Sequence, residues 1–352
     1  MGIAKKHARE RMKPHSATRG PASYPDERFL RLIGDPWYAA LVDIQDVITR
    51  STVEIFSSAG LRNLHLPVTT HSISSPMGAG SDSLPVEVDL FDVRTYLADS
   101  MQFMLEYGCR FNAAGSYYMM PSFRGEAADH THLCQFVHSE AEISGGLQDA
   151  MSLVESYLRG ITQRILDELG NRIEGLLGGG MEHITDFLEA ECIPQITMKE
   201  AIAVIGADNG DLLEWREPGF HVLTRAGEHA LMDRLGGFCW VVEPDHLSVP
   251  FYQGYTGPGR RGALAADLLI GLGETVGLGE RHVSADEVRF ALDQHEVDPE
   301  PYSWYIRMRE EFPMRTSGFG LGVERYICWI LRHDDIRDCQ LLERYNGTAS
   351  IP

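Results

Sequence analysis

Apolar positions change their spacing several times along the chain, and each change marks an element. Over residues 35–59 they recur at helical spacing (Leu41, Ile44, Val47, Ile48, Ile55), with Gly60 placed to end the helix. Residues 64–70 read as a short strand that Pro67 confines to an edge or interface. Residues 74–85 have the composition of a mobile loop, and residues 98–103 open a second helix. Residues 117–142 alternate around a polar turn, which predicts a long antiparallel hairpin. A strongly amphipathic helix over 147–169 follows, and the glycines of 175–180 interrupt the pattern. Residues 181–245 read as a mixed insertion carrying helices at 183–192 and 198–204. Glycine-rich segments at 271–279 and 318–322 flank a helix at 284–295. No internal repeat is visible. The order predicts an α+β fold with a mostly antiparallel sheet flanked by helices, one domain over 31–352 behind a basic flexible arm over 1–30.

Composition narrows the classes. The chain has 352 residues and a formal charge of −20, which argues against indiscriminate nucleic-acid binding. No apolar run has membrane length and no signal-peptide pattern opens the chain, so no membrane partner is expected. The six cysteines are scattered without a C-x-x-C, as expected of reduced thiols in a cytoplasmic protein. Lysine is nearly absent: Lys5, Lys6 and Lys13 lie in the arm and Lys199 stands alone. Schiff-base or P-loop lysine chemistry therefore has almost no candidates.

Three clusters carry chemistry. Gly318-Phe-Gly320-Leu-Gly322-Val-Glu324-Arg325 lets backbone lie flat against a ligand and then opens an apolar helix with a guanidinium in its first turn. Its spacing fits neither the dinucleotide fingerprint nor a P-loop. Arg124-Gly-Glu126 ends the first hairpin strand, and His130, His132, Cys134, Phe136 and His138 share one face if the return is a strand. Ligands two apart on a flat strand converge poorly, and Phe136 interrupts them, so zinc is not expected. Asp267 and Glu274 set two hard carboxylates across a glycine bend, which suits Mg²⁺ held largely through nucleotide phosphates.

Together these motifs resemble the class II aminoacyl-tRNA synthetases. Arg124-x-Glu126 with His132-Leu133-x-x-Phe136 is similar to motif 2, residues 318–325 to motif 3, and residues 50–69 with Pro67 to motif 1. Within that class the chain resembles the asparaginyl branch, through Trp304-Tyr305-Ile-Arg-Met-Arg309 and through Gly271-x-Gly273-Glu274-x-x-Gly277-x-x-x-Arg281. The resemblance implies ATP-driven activation of a carboxylate to an acyl-adenylate. Arg124 would hold the α-phosphate and the reacting carboxylate, Glu126 the adenine amino group and Phe136 the base. His132, Gly320 and Gly322 would line the ATP site, Arg325 would hold the distal phosphates, and Asp267 and Glu274 would carry Mg²⁺. Arg124, Arg325 and Glu274 form the implied catalytic set. Ser100, Gln102, Tyr305 and Gly318 would line the amino-acid pocket, with Arg309 facing an Asp- or Asn-type side chain. The family's homodimer forms through motif 1, so a dimer is expected.

The departures reshape the expectation. About 35 residues precede the first long helix, too few for the family's anticodon-binding barrel, so tRNA is not expected as partner. That brings the chain closer to the asparagine-synthetase relatives, which join ammonia to an activated aspartate. Thr131 stands where an arginine is expected before His132, and Gln135 replaces a glutamate. The family's E-G-A-G-E loop appears as Met77-Gly-Ala-Gly-Ser81, without the carboxylate that closes on a free amine. A substrate with an acylated or missing amine, such as a peptide ending in an Asp- or Asn-like residue, satisfies that site. The expected activity is an ATP-dependent, AMP-forming ligase passing an Asp/Asn-type acyl group to ammonia or an amine. Dehydration of an amide to a nitrile, a non-catalytic ATP- or peptide-binding paralogue, and residual RNA aminoacylation are the alternatives.

Overall fold

The structure is a computed structural model, and it describes residues 28–74, 83–206, 210–342 and 344. The arm and the Met77–Ser81 stretch lie outside the described residues, apart from the arm's last three.

The chain begins with helices α1 (Arg28–Gly34) and α2 (Pro36–Ser58). Asp35 caps α2 by accepting from the Trp37 amide at 2.9 Å, and Pro36 stands at the first turn, where its missing N–H costs nothing. Strands β1 (Arg62–Asn63) and β2 (Thr69–Thr70) follow, then the hairpin β3 (Val86–Leu90) and β4 (Val93–Leu97) and helix α3 (Gln102–Cys109). Of the strand predicted at 64–70 only Thr69–Thr70 forms, beyond Pro67, which cannot donate to a ladder. The helix predicted from 98 starts only at Gln102, because Ala98–Met101 follow the sheet edge, with the Ala98 amide bonded to Val68 O at 2.9 Å.

The predicted hairpin is β5 (Ser116–Phe123) and β6 (Gln135–Ser144). Helix α4 (Leu147–Leu177) runs eight residues past its predicted end and stops at Gly178, whose φ of 72° is left-handed. Then come α5 (Glu182–Glu189), β7 (Gln195–Thr197), α6 (Met198–Ile205), the hairpin β8 (Leu213–Arg216) and β9 (Phe220–Leu223), α7 (Arg225–Leu235) and β10 (Phe238–Val242). The chain closes with β11 (Ala265–Ile270), β12 (Gly273–Glu280), α8 (Ala285–Gln294), α9 (Ser303–Glu311), β13 (Thr316–Gly322) and α10 (Val323–Ile330).

Eight strands form the main sheet in the order β1-β5-β6-β13-β12-β11-β10-β7. Its interior pairings are antiparallel, and the parallel pairs β1/β5 and β7/β10 sit at its two edges. The span 181–245 is therefore not wholly an insertion. β7 and β10 extend the sheet, and the chain between them is a crossover that carries α6, α7 and the small β8–β9 sheet.

The alternation of β6, β13, β12 and β11 separates two faces. Ala141, Phe319, Leu321, Leu278, Leu268 and Ala266 turn to the core formed with α2 and α4. Trp37, Leu41, Ile44, Val47 and Ile48 of α2 are all buried there. Thr52 and Ser139 both bond Tyr157 OH (2.7 and 2.9 Å), so that buried hydroxyl is satisfied. The opposite face of the same strands carries glycines and carboxylates. Among the described residues no helix is long and apolar enough to cross a membrane.

Candidate active site

The floor of the site follows from strand register. Gly320 lies opposite Glu140 on one side and Gly277 on the other, and Gly277 lies opposite Asp267. Two residues along, Glu142, Gly318 and Gly279 form a second row. Four glycines thus make a bare patch at the centre of a sheet, walled by acids. A β-carbon on Gly318 collides with Glu142 Oε2, and one on Gly279 with Gln253 Oε1. One on Gly277 comes 3.0 Å from Glu274 Oε1, and one on Gly320 comes 3.1 Å from Glu140 Oε1. These glycines give close approach of backbone and wall, and none is there for a left-handed φ.

Above part of this floor lies a cavity of about 550 Å³. Arg124, Glu126, His132, Phe136, Asp267, Glu274, Gly320, Gly322 and Arg325, nine positions expected for ATP or Mg²⁺, all line it. The Arg124 amide donates to Cys134 O at 2.9 Å, so the hairpin closes just before the turn and holds Arg124 beside Phe136. The guanidinium carbon sits 5.4 Å from the ring centroid, within cation–π range. Arg124 Nε and Glu126 Oε2 are buried and have no hydrogen-bond partner among the described residues. Such groups cost stability unless a ligand completes them. The 130–134 segment is not the strand expected: Asp129 Oδ1 accepts from the Thr131 and His132 amides (2.7 and 2.8 Å) and keeps it in a turn. His130, His132 and Cys134 therefore do not share a strand face with Phe136 and His138. Burial and the nearby Arg325 push His132 below the ordinary histidine pKa.

Arg325 comes from the first turn of α10, and its Nη1 donates to Glu274 O at 2.5 Å. Burial presses its pKa down against the pull of Glu274, and Arg225 and Arg124 add to that pressure. Glu324 accepts from the Val137 amide at 3.1 Å and from Gln340 at 2.8 Å, which fixes α10 against β6.

Glu274 Oε1 and Asp267 Oδ1 lie over the same glycine, 3.0 and 3.8 Å from where a β-carbon of Gly277 would be. Burial, then Glu274 and Glu228, push the Asp267 carboxyl well above its ordinary value. Burial and Glu274 push Glu228 up to about 7. Acids that disfavour one another's charge are relieved by a divalent cation, so this donor set fits Mg²⁺. Among the described residues no group of three or more acidic, histidine or cysteine side chains forms a cage, so phosphate oxygens and water would complete the shell of such an ion.

Arg225 and Glu228 were not anticipated. They stand three apart on α7, inside the span read as an insertion, and both line the cavity. Glu140 and Glu142 also escaped the sequence reading, although two acids spaced to match alternate glycines are the trace they leave.

Ser100, Gln102 and Gly318 lie outside the cavity, against the acid wall. Ser100 Oγ donates to Glu140 Oε2 at 2.6 Å, alongside Tyr118 OH, while His138 Nδ1 meets Glu140 Oε1 at 2.9 Å. Ser100 also borders a second cavity of about 590 Å³. Arg281 bonds Glu142 Oε2 and Gln253 Oε1, each at 2.9 Å, and reaches Gln102 Oε1 at 3.5 Å, while Gln102 Nε2 is buried without a hydrogen-bond partner among the described residues. Arg309 and Tyr305 are fully buried away from both cavities. Arg309 Nη2 is paired with Glu106, Tyr305 OH donates to Glu106 Oε1 at 2.6 Å, and Arg309 Nε donates to His282 O at 2.8 Å. The guanidinium expected to face substrate is thus held by Glu106, one α3 turn beyond Gln102, because a buried cation requires a counter-charge. Only Nη1 of Arg309 has no hydrogen-bond partner among the described residues.

Known proteins share this fold. The family described as tRNA synthetases class II (D, K and N) matches residues 22–345. The asparagine–tRNA ligase of Pyrococcus abyssi is 28% identical over 321 residues, covering 89% of this chain and 70% of the relative. That of Thermococcus gammatolerans is 27% identical over 337 residues, covering 94% and 74%. The Pyrococcus horikoshii asparaginyl-tRNA synthetase complexed with asparaginyl-adenylate superposes with a TM-score of 0.83 at 25% identity, over 94% of this chain and 74% of that one. The Entamoeba histolytica asparaginyl-tRNA synthetase has the same fold, with a TM-score of 0.80 at 22% identity. The match of one family over nearly the whole length, on the glycine floor and arginine-lined cavity described above, makes this chain a member of the class II tRNA synthetases.

Proposed function

We propose that this protein is an ATP-dependent, AMP-forming ligase that adenylates an Asp- or Asn-type carboxylate and transfers the acyl group to a nitrogen nucleophile, ammonia being the simplest. One observation carries the reading: Arg124, Glu126 and Phe136 converge with Asp267, Glu274 and Arg325 on a single cavity over a glycine floor. Phe136 offers a stacking face and Glu126 an acceptor for the base amino group. Arg124 Nε is a donor without a hydrogen-bond partner among the described residues, placed to hold an α-phosphate oxygen and the incoming carboxylate together. A carboxylate oxygen then bonds to the α-phosphorus as the bond to pyrophosphate breaks. Arg325 meets the charge that leaves. Mg²⁺ on Asp267 and Glu274 would neutralise phosphate charge.

Glu106 refines the substrate. Glu106 already neutralises Arg309, so the cation that would select a carboxylate side chain is matched inside the protein. That favours an amide-bearing, asparagine-type side chain over aspartate. It also keeps a second reading in play, transfer of an asparaginyl group to RNA, as the names of the relatives suggest. The test is AMP formation from ATP with asparagine, aspartate and their N-acylated forms, each with and without ammonia and RNA. Acid-dependent AMP formation supports the reading, and its stimulation by ammonia or by RNA identifies the acceptor. Absence of AMP with every acid would leave a paralogue that binds without turnover.

A further inference from the structure

The first turn of α7 enters the cavity from the crossover between β7 and β10, and Arg225 is the cation it brings. Thr224 caps the helix, its Oγ1 accepting from the Gly227 amide at 3.1 Å, and so fixes the direction in which Arg225 leaves the backbone. Arg225 Nη1 donates to Leu272 O at 2.6 Å, in the turn between β11 and β12 that precedes Glu274. Among the described residues that is the only hydrogen bond its guanidinium makes, so four of five donors are left on a side chain that lines the cavity. Its charge is felt at Arg325 and at His132, and all three side chains line one cavity. The cavity also holds Asp267, Glu274 and Glu228, whose Oε2 is buried without a hydrogen-bond partner among the described residues. Two guanidiniums and a histidine beside carboxylates suit a polyanion that arrives with its own divalent cation. Arg124, which lies beside Phe136, is also felt at Arg325.

We propose that Arg225 is a binding residue for the β- and γ-phosphates of the nucleotide, supplied by α7 in place of the arginine whose expected position holds Thr131. The proposal rests on reading the cavity as an ATP site, and the experiment keeps the two claims apart. Binding of MgATP and of AMP is measured by titration calorimetry on the wild-type chain and on Arg225→Gln and Arg225→Lys. Gln keeps a donor for Leu272 O but removes the charge. The expected result is a loss of ATP affinity of about tenfold or more in Arg225→Gln, with AMP affinity changed by less than about twofold and part of the loss restored in Arg225→Lys. Thermal midpoints within a few degrees of wild type mark the effect as local. Equal losses for ATP and AMP, or no loss for either, overturn the assignment and give Arg225 a purely structural place under Leu272. If the wild-type chain binds neither nucleotide, the ATP reading itself falls, and this proposal with it.

Discussion

The glycine floor makes a graded prediction along a single strand. At Gly318 an added methyl collides with Glu142 Oε2 and lies 2.7 Å from Ala141 O, so both the β6 backbone and the carboxylate must move. Glu142 is the counter-ion of the buried Arg281. Breaking such a pair costs about 3–5 kcal/mol, and the lost chain entropy of glycine returns only about 0.4–1 kcal/mol. Gly318→Ala should therefore lose roughly 2–4 kcal/mol, or a fall in thermal midpoint of roughly 5–15 °C. At Gly320 the nearest atom is Glu140 Oε1 at 3.1 Å, which can give way by a few tenths of an ångström, so a cost of about 1 kcal/mol is expected. At Gly322 the contacts are ordinary, 3.8 Å to Arg325, and a small N-cap penalty is offset by chain entropy, leaving a change within about 0.5 kcal/mol. Urea denaturation of the three variants, read as midpoints at constant m-value, gives the ranking. If Gly318→Ala is as stable as Gly322→Ala, the row does not exist to make room for the acid wall. Gly322→Ala should keep the fold yet weaken ATP binding, because Gly322 lines the cavity.

Further outcomes follow from the same geometry. Glu228 is held near 7, above its unfolded value, so its contribution is present at acidic pH and is lost as pH rises through about 7. Without ligand, Glu228→Gln should thus be more stable than wild type at pH 8, by up to about 3 kcal/mol, with the advantage vanishing by about pH 4.5, as thermal melts across pH would show. Glu106→Leu and Arg309→Met should each cost about 3–5 kcal/mol, because each strands a buried charge, while the double variant should recover most of that loss, a coupling that a denaturation cycle measures. Phe136→Ala should weaken AMP and ATP equally, by about 1–3 kcal/mol if the base stacks there, and a loss confined to ATP would contradict the stacking role.

Much of the fold was legible because its largest elements bury one clean face. α2 and the first two-thirds of α4 carry helical periodicity, and the β5–β6 hairpin alternates around a polar turn. The convergence of Arg124, Phe136, Asp267, Glu274 and Arg325 was legible too, since all five line one cavity. What failed to show was non-local. The turn at 129–134 looks like strand in residue type, and only the Asp129 hydrogen bonds reveal otherwise. Residues 181–245 looked inserted because β7 and β10 gain their meaning from a parallel pairing across about forty residues. Arg309 looked substrate-facing because nothing in its own segment announces Glu106, some 200 residues earlier. Arg225 and Glu228 were hidden for the same reason.

The central claim is that a carboxylate attacks the α-phosphorus of ATP on this floor. Incubating the chain with MgATP and an asparagine-type acid labelled with oxygen-18 in its reacting carboxyl, with ammonia present, tests it directly by mass spectrometry of the AMP. The account predicts one labelled oxygen in AMP, absent in Arg124→Ala. AMP formed without label, or ADP formed in its place, would contradict it.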